Sequence, residues 1–363
     1  RIDDELGSNS LTPIKSIDER LEAWKRVTGK DITFHELDLV TDYAAFCMLL
    51  KRERPTALVH FAEQRSAPYS MRTEETKQYT IRNNTEATHN VCLAVATCLP
   101  SCHIVHLGTM GVYGYGTAGA ALPEGYIDVL IPSTEAKAGL SKVGDGEKVE
   151  GAQGEFVKKQ IVYPPAPGSL YHMTKVLDAE IFQFYSKFHN LIVTDLHQGI
   201  VWGTETAETK LDPELVNRFD YDETYGTVLN RFLMQATIGH PITVYGSGGQ
   251  TRAFIHISDT VRCVKAAVDS PMDARVPKKT RIWNQLAETH RLSELAALIQ
   301  TIVPGTEMKM IENPRLEAAK NELDVVNASL KKLGAVRHSI KLSTGLLDEV
   351  HRICRQHAGR AKP

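Results

Sequence analysis

His103-Ile-Val-His-Leu-Gly-Thr109 reads as a buried strand ending on a threonine, and further on Tyr171-His-Met-Thr-Lys175 opens a helical pattern that runs to Phe188. A tyrosine and a lysine four residues apart lie one turn apart on the same helix face. A tyrosine has a pKa of about 10 in water, so to act as a base near neutrality it needs a nearby positive charge. Lys175 can supply that charge, and Thr109 can hydrogen-bond the same substrate oxygen. The trio suits hydride chemistry at a sugar carbinol. Tyr-x-x-x-Lys alone is common by chance, and its surroundings strengthen it. The loop Pro164-Pro-Ala-Pro-Gly-Ser169 cannot be helical, and Leu191-Ile-Val-Thr-Asp-Leu196 after the helix is strand-like.

The same rhythm extends outward. Ser16-Ile-Asp-Glu19 is a capping box opening a helix that stops at Gly29. Ile32 to Leu37 reads as a strand, Tyr43 to Arg52 as a helix, Ala57 to Phe61 as a buried strand, and roughly Met71 to Cys98 as a long helix, with or without an interruption. Strands alternating with helices predict an α/β fold with a doubly wound parallel sheet covered on both faces. Residues 123–167, rich in glycine and charge, read as an exposed excursion. From Thr204 a smaller second lobe is expected, with helices near Gly226–Ile238, Ser258–Asp269, Leu292–Ile302 and Leu342–Arg355. Short strands at Ile242–Tyr245, Arg252–Ile257 and Arg281–Asn284 separate them.

At 363 residues, about two domains are expected, and 42% hydrophobic with 24% charged residues is ordinary for a globular protein. A net charge of −2 and a pI near 6.7 give no bulk attraction to nucleic acid or acidic membranes. No run approaches the roughly 18 apolar residues of a membrane span, so a soluble protein without membrane insertion is expected. The six cysteines show no Cys-x-x-Cys pair, which predicts reduced thiols and no zinc. No metal is expected at the fourteen scattered histidines; His103 and His106 read as core or loop residues.

A dinucleotide-binding sheet should open with a strand, a Gly-x-Gly-x-x-Gly turn and a helix. Nothing before Ile32 fits. The one formal match, Gly114-Tyr-Gly-Thr-Ala-Gly119, has Pro123 too close behind it for the helix and follows the strand that carries Thr109. Either this part of a Rossmann-type sheet lies upstream of Arg1, which is the favoured expectation, or the chain binds dinucleotide poorly.

Several less common runs carry a resemblance. They include Leu11-Thr-Pro-Ile14, Glu63-Gln-Arg-Ser-Ala-Pro-Tyr-Ser-Met71, Leu107-Gly-Thr-Met-Gly111 and Glu124-Gly-Tyr-Ile127. Asn217-Arg-Phe-Asp-Tyr-Asp222, Gly239-His-Pro-Ile-Thr-Val-Tyr-Gly246, Gly249-Gln-Thr-Arg252 and Asn313-Pro-Arg315 complete the set. Read in order along nearly the whole chain, these runs resemble the extended short-chain dehydrogenase/reductase superfamily and, within it, the UDP-sulfoquinovose synthase family. The resemblance implies a Rossmann domain carrying NAD at 1–203 and a nucleotide-sugar lobe at 204–363, with the chain crossing back around 252–285. It implies UDP-glucose and sulfite as substrates, a homodimer, and a plastid stroma or bacterial cytoplasm. The implied reaction oxidises C4, eliminates the C6 hydroxyl, adds sulfite at C6 and returns the hydride.

In that scheme Tyr171 takes the O4 proton, Lys175 assists it and holds the nicotinamide ribose, Thr109 orients O4, and His172 handles the C5 proton. Asp38, Phe61, Glu63, Asn83 and Gln198 are expected at the cofactor. Gln64 and Arg65 would hold sulfite, with Met110 and Gly111 beside the sugar. Arg252 and Arg315 would clamp the diphosphate, helped by Asn230 and Gln250. A helix histidine facing a neighbour is the alternative for His172, a surface arginine for Arg65 and a turn residue for Asp38. Departures from the family pattern fall at Val112, His197 and His256, where glutamate, asparagine and aspartate are usual, and at Ala318 to Val326. A UDP-sugar 4-epimerase or 4,6-dehydratase, or a non-catalytic relative, stays open.

Overall fold

The computed structural model describes residues 10–114, 121–132, 148–151, 154–270, 279–314, 320–343 and 347–361. The first part holds α1 (Ile17–Thr28), α2 (Tyr43–Glu53), β1 (Ala57–His60), α3 (Glu74–Cys98), β2 (His103–Thr109), β3 (Tyr126–Pro132), β4 (Lys148–Gly151), β5 (Gly154–Val162), α4 (Leu170–His189), β6 (Ile192–Gln198) and β7 (Ile200–Trp202). Then come α5 (Val228–Thr237), β8 (Ile242–Tyr245), β9 (Gly249–His256), α6 (Ile257–Asp269), β10 (Arg281–Gln285), β11 (Glu288–Arg291), α7 (Leu292–Ile302), β12 (Met308–Ile311), β13 (Lys320–Asn321), α8 (Ala328–Lys332) and α9 (Leu347–His357).

The apolar runs pair as their alternation with helices predicts: β1, β2, β6 and β10 form one parallel sheet in that order. Alternate residues along a strand share a face. On one face Ile104 and Val193 pack with Phe46, Leu50, Val91, Val95 and Phe182 from α2, α3 and α4. On the other, Val105, Leu196 and Trp283 pack against Cys263 and Ala267 of α6. Two polar cross-strand rows interrupt the first face. His60, His106 and Asp195 stand opposite one another, and so do Gly108, His197 and Asn284.

The second core gathers α5, α7 and α9 around β8 and β9, with Leu229, Phe232, Ile242, Phe254, Leu295, Val350 and Ile353 buried together. From β9 the chain runs through α6 and returns to the main sheet as β10.

One expectation fails. Ile32 to Leu37 is not a strand; Ile32 and Phe34 stay 54% and 50% exposed. A strand is a partnership, and among the described residues none pairs with this segment and β1 pairs with β2 alone. The excursion at 123–167 contains an antiparallel sheet in the order β3-β5-β4. Its β-branched runs, Ile127 to Ile131 and Val157 to Val162, were masked by flanking glycines and charges. The capping box at Ser16 and Glu19 and the left-handed Gly29 stop are present as read.

The aspartate departure at His256 has a partner. His256 Nε2 lies 3.3 Å from Glu349 on α9, whose other oxygen accepts from the backbone N of Thr204 at 2.6 Å and of Glu205 at 3.0 Å. This buried carboxylate ties the C-terminal helix to the loop after β7. Glu349→Ala would strand two amides and an imidazole, so denaturant unfolding should show a loss of about 3 kcal/mol; a loss under about 0.5 kcal/mol would refute the tie.

Candidate active site

The proline-rich loop sets the start of α4. Ser169 caps it, Oγ accepting from His172 N at 3.2 Å, and Ser70 Oγ accepts from Tyr171 N at 3.1 Å. Lys175, one turn after Tyr171, reaches across to β2. Its Nζ donates to Leu107 O at 3.0 Å and lies 3.0 Å from His106 Nε2. Glu63, from the loop after β1, forms an ion pair with it at 2.8 Å, and Asp178 stands 3.8 Å away. Lys175 is 3% exposed. Burial alone would lower its pKa, but the charges of Glu63, Tyr171 and Asp178 raise it, so it is a cation at neutral pH. Tyr171 is therefore within electrostatic reach of the ammonium.

Thr109 ends β2 opposite Gln198, and its Oγ1 accepts from Gly111 N at 3.1 Å to start the turn Met110–Tyr113. Met110 and Gly111 are buried in that turn. Gln198 Oε1 is buried without a hydrogen-bond partner. His172 is packed against Gly111, where a Cβ would meet its ring at 2.3 Å, and its Nδ1 is 3.1 Å from Ser169 Oγ.

The remaining expected residues fall into three groups. Arg65 pairs with Asp220 at 2.5 Å and lies over the Tyr225 ring, while Asn230 donates to Asp220 O at 2.9 Å. Both thus converge on the loop before α5. Gln250 and Arg252 are buried on β9; both polar side-chain atoms of Gln250 lack a partner, and Arg252 donates to Thr251 O at 3.0 Å. By contrast Gln64 spends its amide on Ser66 and Thr80, Asn83 bonds Asn84, Asp38 accepts from Val40 N within its own turn, and Phe61 is 61% exposed. Arg315 lies outside the described residues.

Sequence reading missed the polar shell. His106, read as a core or loop residue, bonds Asp195 Oδ1 at 2.8 Å and Glu63 Oε1 at 3.1 Å. Asp195 Oδ2 also holds His197 Nε2 at 2.9 Å. Asn84 takes Gln64 N and donates to Gln64 O and Thr174, locking the Glu63 loop to α4. The available signal was an aspartate in the middle of an apolar strand. Glu63, His106 and Asp178 bring ligand atoms within 4.8 Å of one another, a spacing that suits a metal, but the Lys175 ammonium stands among them.

Comparison with known proteins gives the family and the fold. The model of the NAD dependent epimerase/dehydratase family matches residues 6–130 and 147–284. The chain belongs to that family. It is 38% identical over 362 residues to the chloroplastic UDP-sulfoquinovose synthase of Spinacia oleracea, covering 99% of this chain and 69% of the relative. It is 36% identical over 341 residues to the UDP-sulfoquinovose synthase of Sulfolobus acidocaldarius, covering 92% and 79%. In fold it is similar to the UDP-glucose 4-epimerase of Thermotoga maritima, with TM-score 0.63 and 18% identity over 90% of this chain and 85% of that one. The UDP-glucuronic acid 4-epimerase of Bacillus cereus gives TM-score 0.60 and 19% identity over 88% and 80%. No helix among the described residues is long and apolar enough to cross a membrane.

Burial holds His60, next to this shell, down to about 3, with His106 and Lys175 acting in the same direction against Glu63. The unfolded chain then binds the extra proton, so stability falls as pH drops from about 6.5 toward about 3. His60→Gln should flatten the difference between urea midpoints at pH 7 and pH 5, and an unchanged difference would remove His60 as its source.

Proposed function

We propose that this protein is a UDP-sulfoquinovose synthase acting on UDP-glucose and sulfite with NAD. The observation that carries the reading is the buried Lys175 ammonium beside Tyr171, with Thr109 at the end of the adjoining strand. Identity to two synthases over nearly the whole chain supports it over an epimerase.

The residues present suit one half of the cofactor. Tyr171, Lys175 and the unpartnered Gln198 Oε1 would hold the nicotinamide-ribose half. Among the described residues no Gly-x-Gly-x-x-Gly turn joins a strand to a helix to cradle the pyrophosphate. NAD, when bound, supplies the reversible oxidation at C4 of the sugar. Tyr171 takes the O4 proton and later returns it, and the Lys175 charge favours its phenolate. Thr109 orients O4. His172, packed between Ser169 and Gly111, would take the C5 proton made acidic by the neighbouring ketone. Loss of the C6 hydroxyl leaves an electrophilic C6, to which the sulfite sulfur adds. Arg65 stabilises that anion, which would compete with Asp220 for its guanidinium. Gln250 and Arg252 with Arg315 would hold the diphosphate, in the 204–363 lobe; 1–203 would carry NAD. A homodimer in a plastid stroma or bacterial cytoplasm completes the reading.

The test is product analysis by mass spectrometry after incubating protein from its full open reading frame with NAD and UDP-glucose, with and without sulfite. UDP-sulfoquinovose should appear only with sulfite, and Tyr171→Phe should lower its rate at least 100-fold. UDP-galactose formed irrespective of sulfite would make it an epimerase.

A further inference from the structure

A continuous polar path leaves the Lys175 cluster and crosses the sheet. His106 Nδ1 meets Asp195 Oδ1 at 2.8 Å, Asp195 Oδ2 meets His197 Nε2 at 2.9 Å, and His197 Nδ1 meets the Tyr113 hydroxyl at 2.8 Å. Tyr113 donates to Asn284 Oδ1 at 3.1 Å, and Asn284 Nδ2 is fixed by donating to Pro123 O and Val326 O, each at 2.8 Å. Gly108 makes room for the path. A Cβ there would stand 2.5 Å from Asp195 Oδ1 and 2.8 Å from the His197 ring.

The geometry points to His106 as a positioning residue for Lys175, kept doubly protonated by the Asp195 carboxylate that it shares with His197. The case is a count of protons. His106 Nε2 touches two groups, Lys175 Nζ at 3.0 Å and Glu63 Oε1 at 3.1 Å. A neutral ring with its proton on Nδ1, facing Asp195, would accept from Lys175 but set a lone pair against the Glu63 carboxylate. A doubly protonated ring donates to Asp195 and to Glu63, and the two carboxylates offset the repulsion between its Nε2–H and the Lys175 ammonium 3.0 Å away. Lys175 then keeps Leu107 O and Glu63 as acceptors and turns its third N–H away from His106, toward a ligand oxygen.

Every packed element fits this count. His60 on β1 faces His106 with ring centroids 5.6 Å apart and has its own Nε2 on Thr88 of α3. Glu63 lies in the following loop, Lys175 and Asp178 (3.7 Å) come from α4, where the Phe182 ring closes the site, and Asp195 comes from β6. On α3 the Cys92 thiol is neutral, pushed well above the usual thiol range by burial and the charge of Asp178. Burial and Lys175 oppose charge on His106, yet the charge and hydrogen bond of Asp195, with the hydrogen bond to Glu63, raise it to about 9.

This inference rests on Lys175 serving the cofactor as proposed above, and its test separates the two. Imidazole nitrogen NMR spectra of the 15N-histidine-labelled full-length protein, with His106→Gln as the assignment control, need no substrate and are informative even if no sulfosugar forms. His106 should remain doubly protonated past pH 8, and Asp195→Asn should bring its titration down by at least one pH unit. In parallel, fluorescence titration with NAD should show about tenfold weaker binding by His106→Gln, whose neutral amide can accept from Lys175. A neutral His106 at pH 7 in the wild type overturns the inference without relying on any variant to fold. Unaltered NAD affinity in a folded His106→Gln protein also overturns it.

Discussion

Lys175 is a full positive charge in a place nearly sealed from water, and the surrounding structure is arranged around that constraint. Stripping water from an ion costs several kcal/mol unless partners replace it. Here Glu63, Leu107 O and Asp178 do so, each from a different element. Their positions are fixed in turn: the Ser169 cap and the Ser70 hydroxyl set the start of α4, Asn84 locks the Glu63 loop, and the β2–β6 register places Asp195 against His106. Removing any of these supports moves a buried charge away from its partners, so the sheet, the helix and the loop are stabilised only together.

How much of this was legible depended on how local the cause was. Helix α4 and strands β2 and β6 follow from periodicity and from the prolines between them, and Tyr171 with Lys175 follows from spacing alone. The capping box at Ser16 is a four-residue pattern and was readable as such. Ile32 to Leu37 has the residues of a strand, but whether it becomes one depends on neighbours that no local window contains. The role of His106 was hidden for the same reason. Its partner Asp195 is 89 positions away and becomes adjacent only through parallel pairing.

Two of the departures from the family pattern lie together. Val112 and His197 line one small cavity together with Tyr113, Tyr163 and Val176. Val112 adds an apolar side chain to that cavity, and His197 turns its polar atoms to Asp195 and Tyr113. His256 has taken Glu349 as its partner at the far end of β9. Each change thus sits in a satisfied local environment.

Because Asp195 serves two imidazoles and the path continues to Asn284, the polar row runs sideways across β2, β6 and β10 rather than along any one strand. Parallel sheets usually insulate one strand's side chains from those two strands away behind aliphatic packing. This one is wired laterally, so a change at Asn284, close to the antiparallel excursion, would be felt electrically beneath the ammonium two strands over.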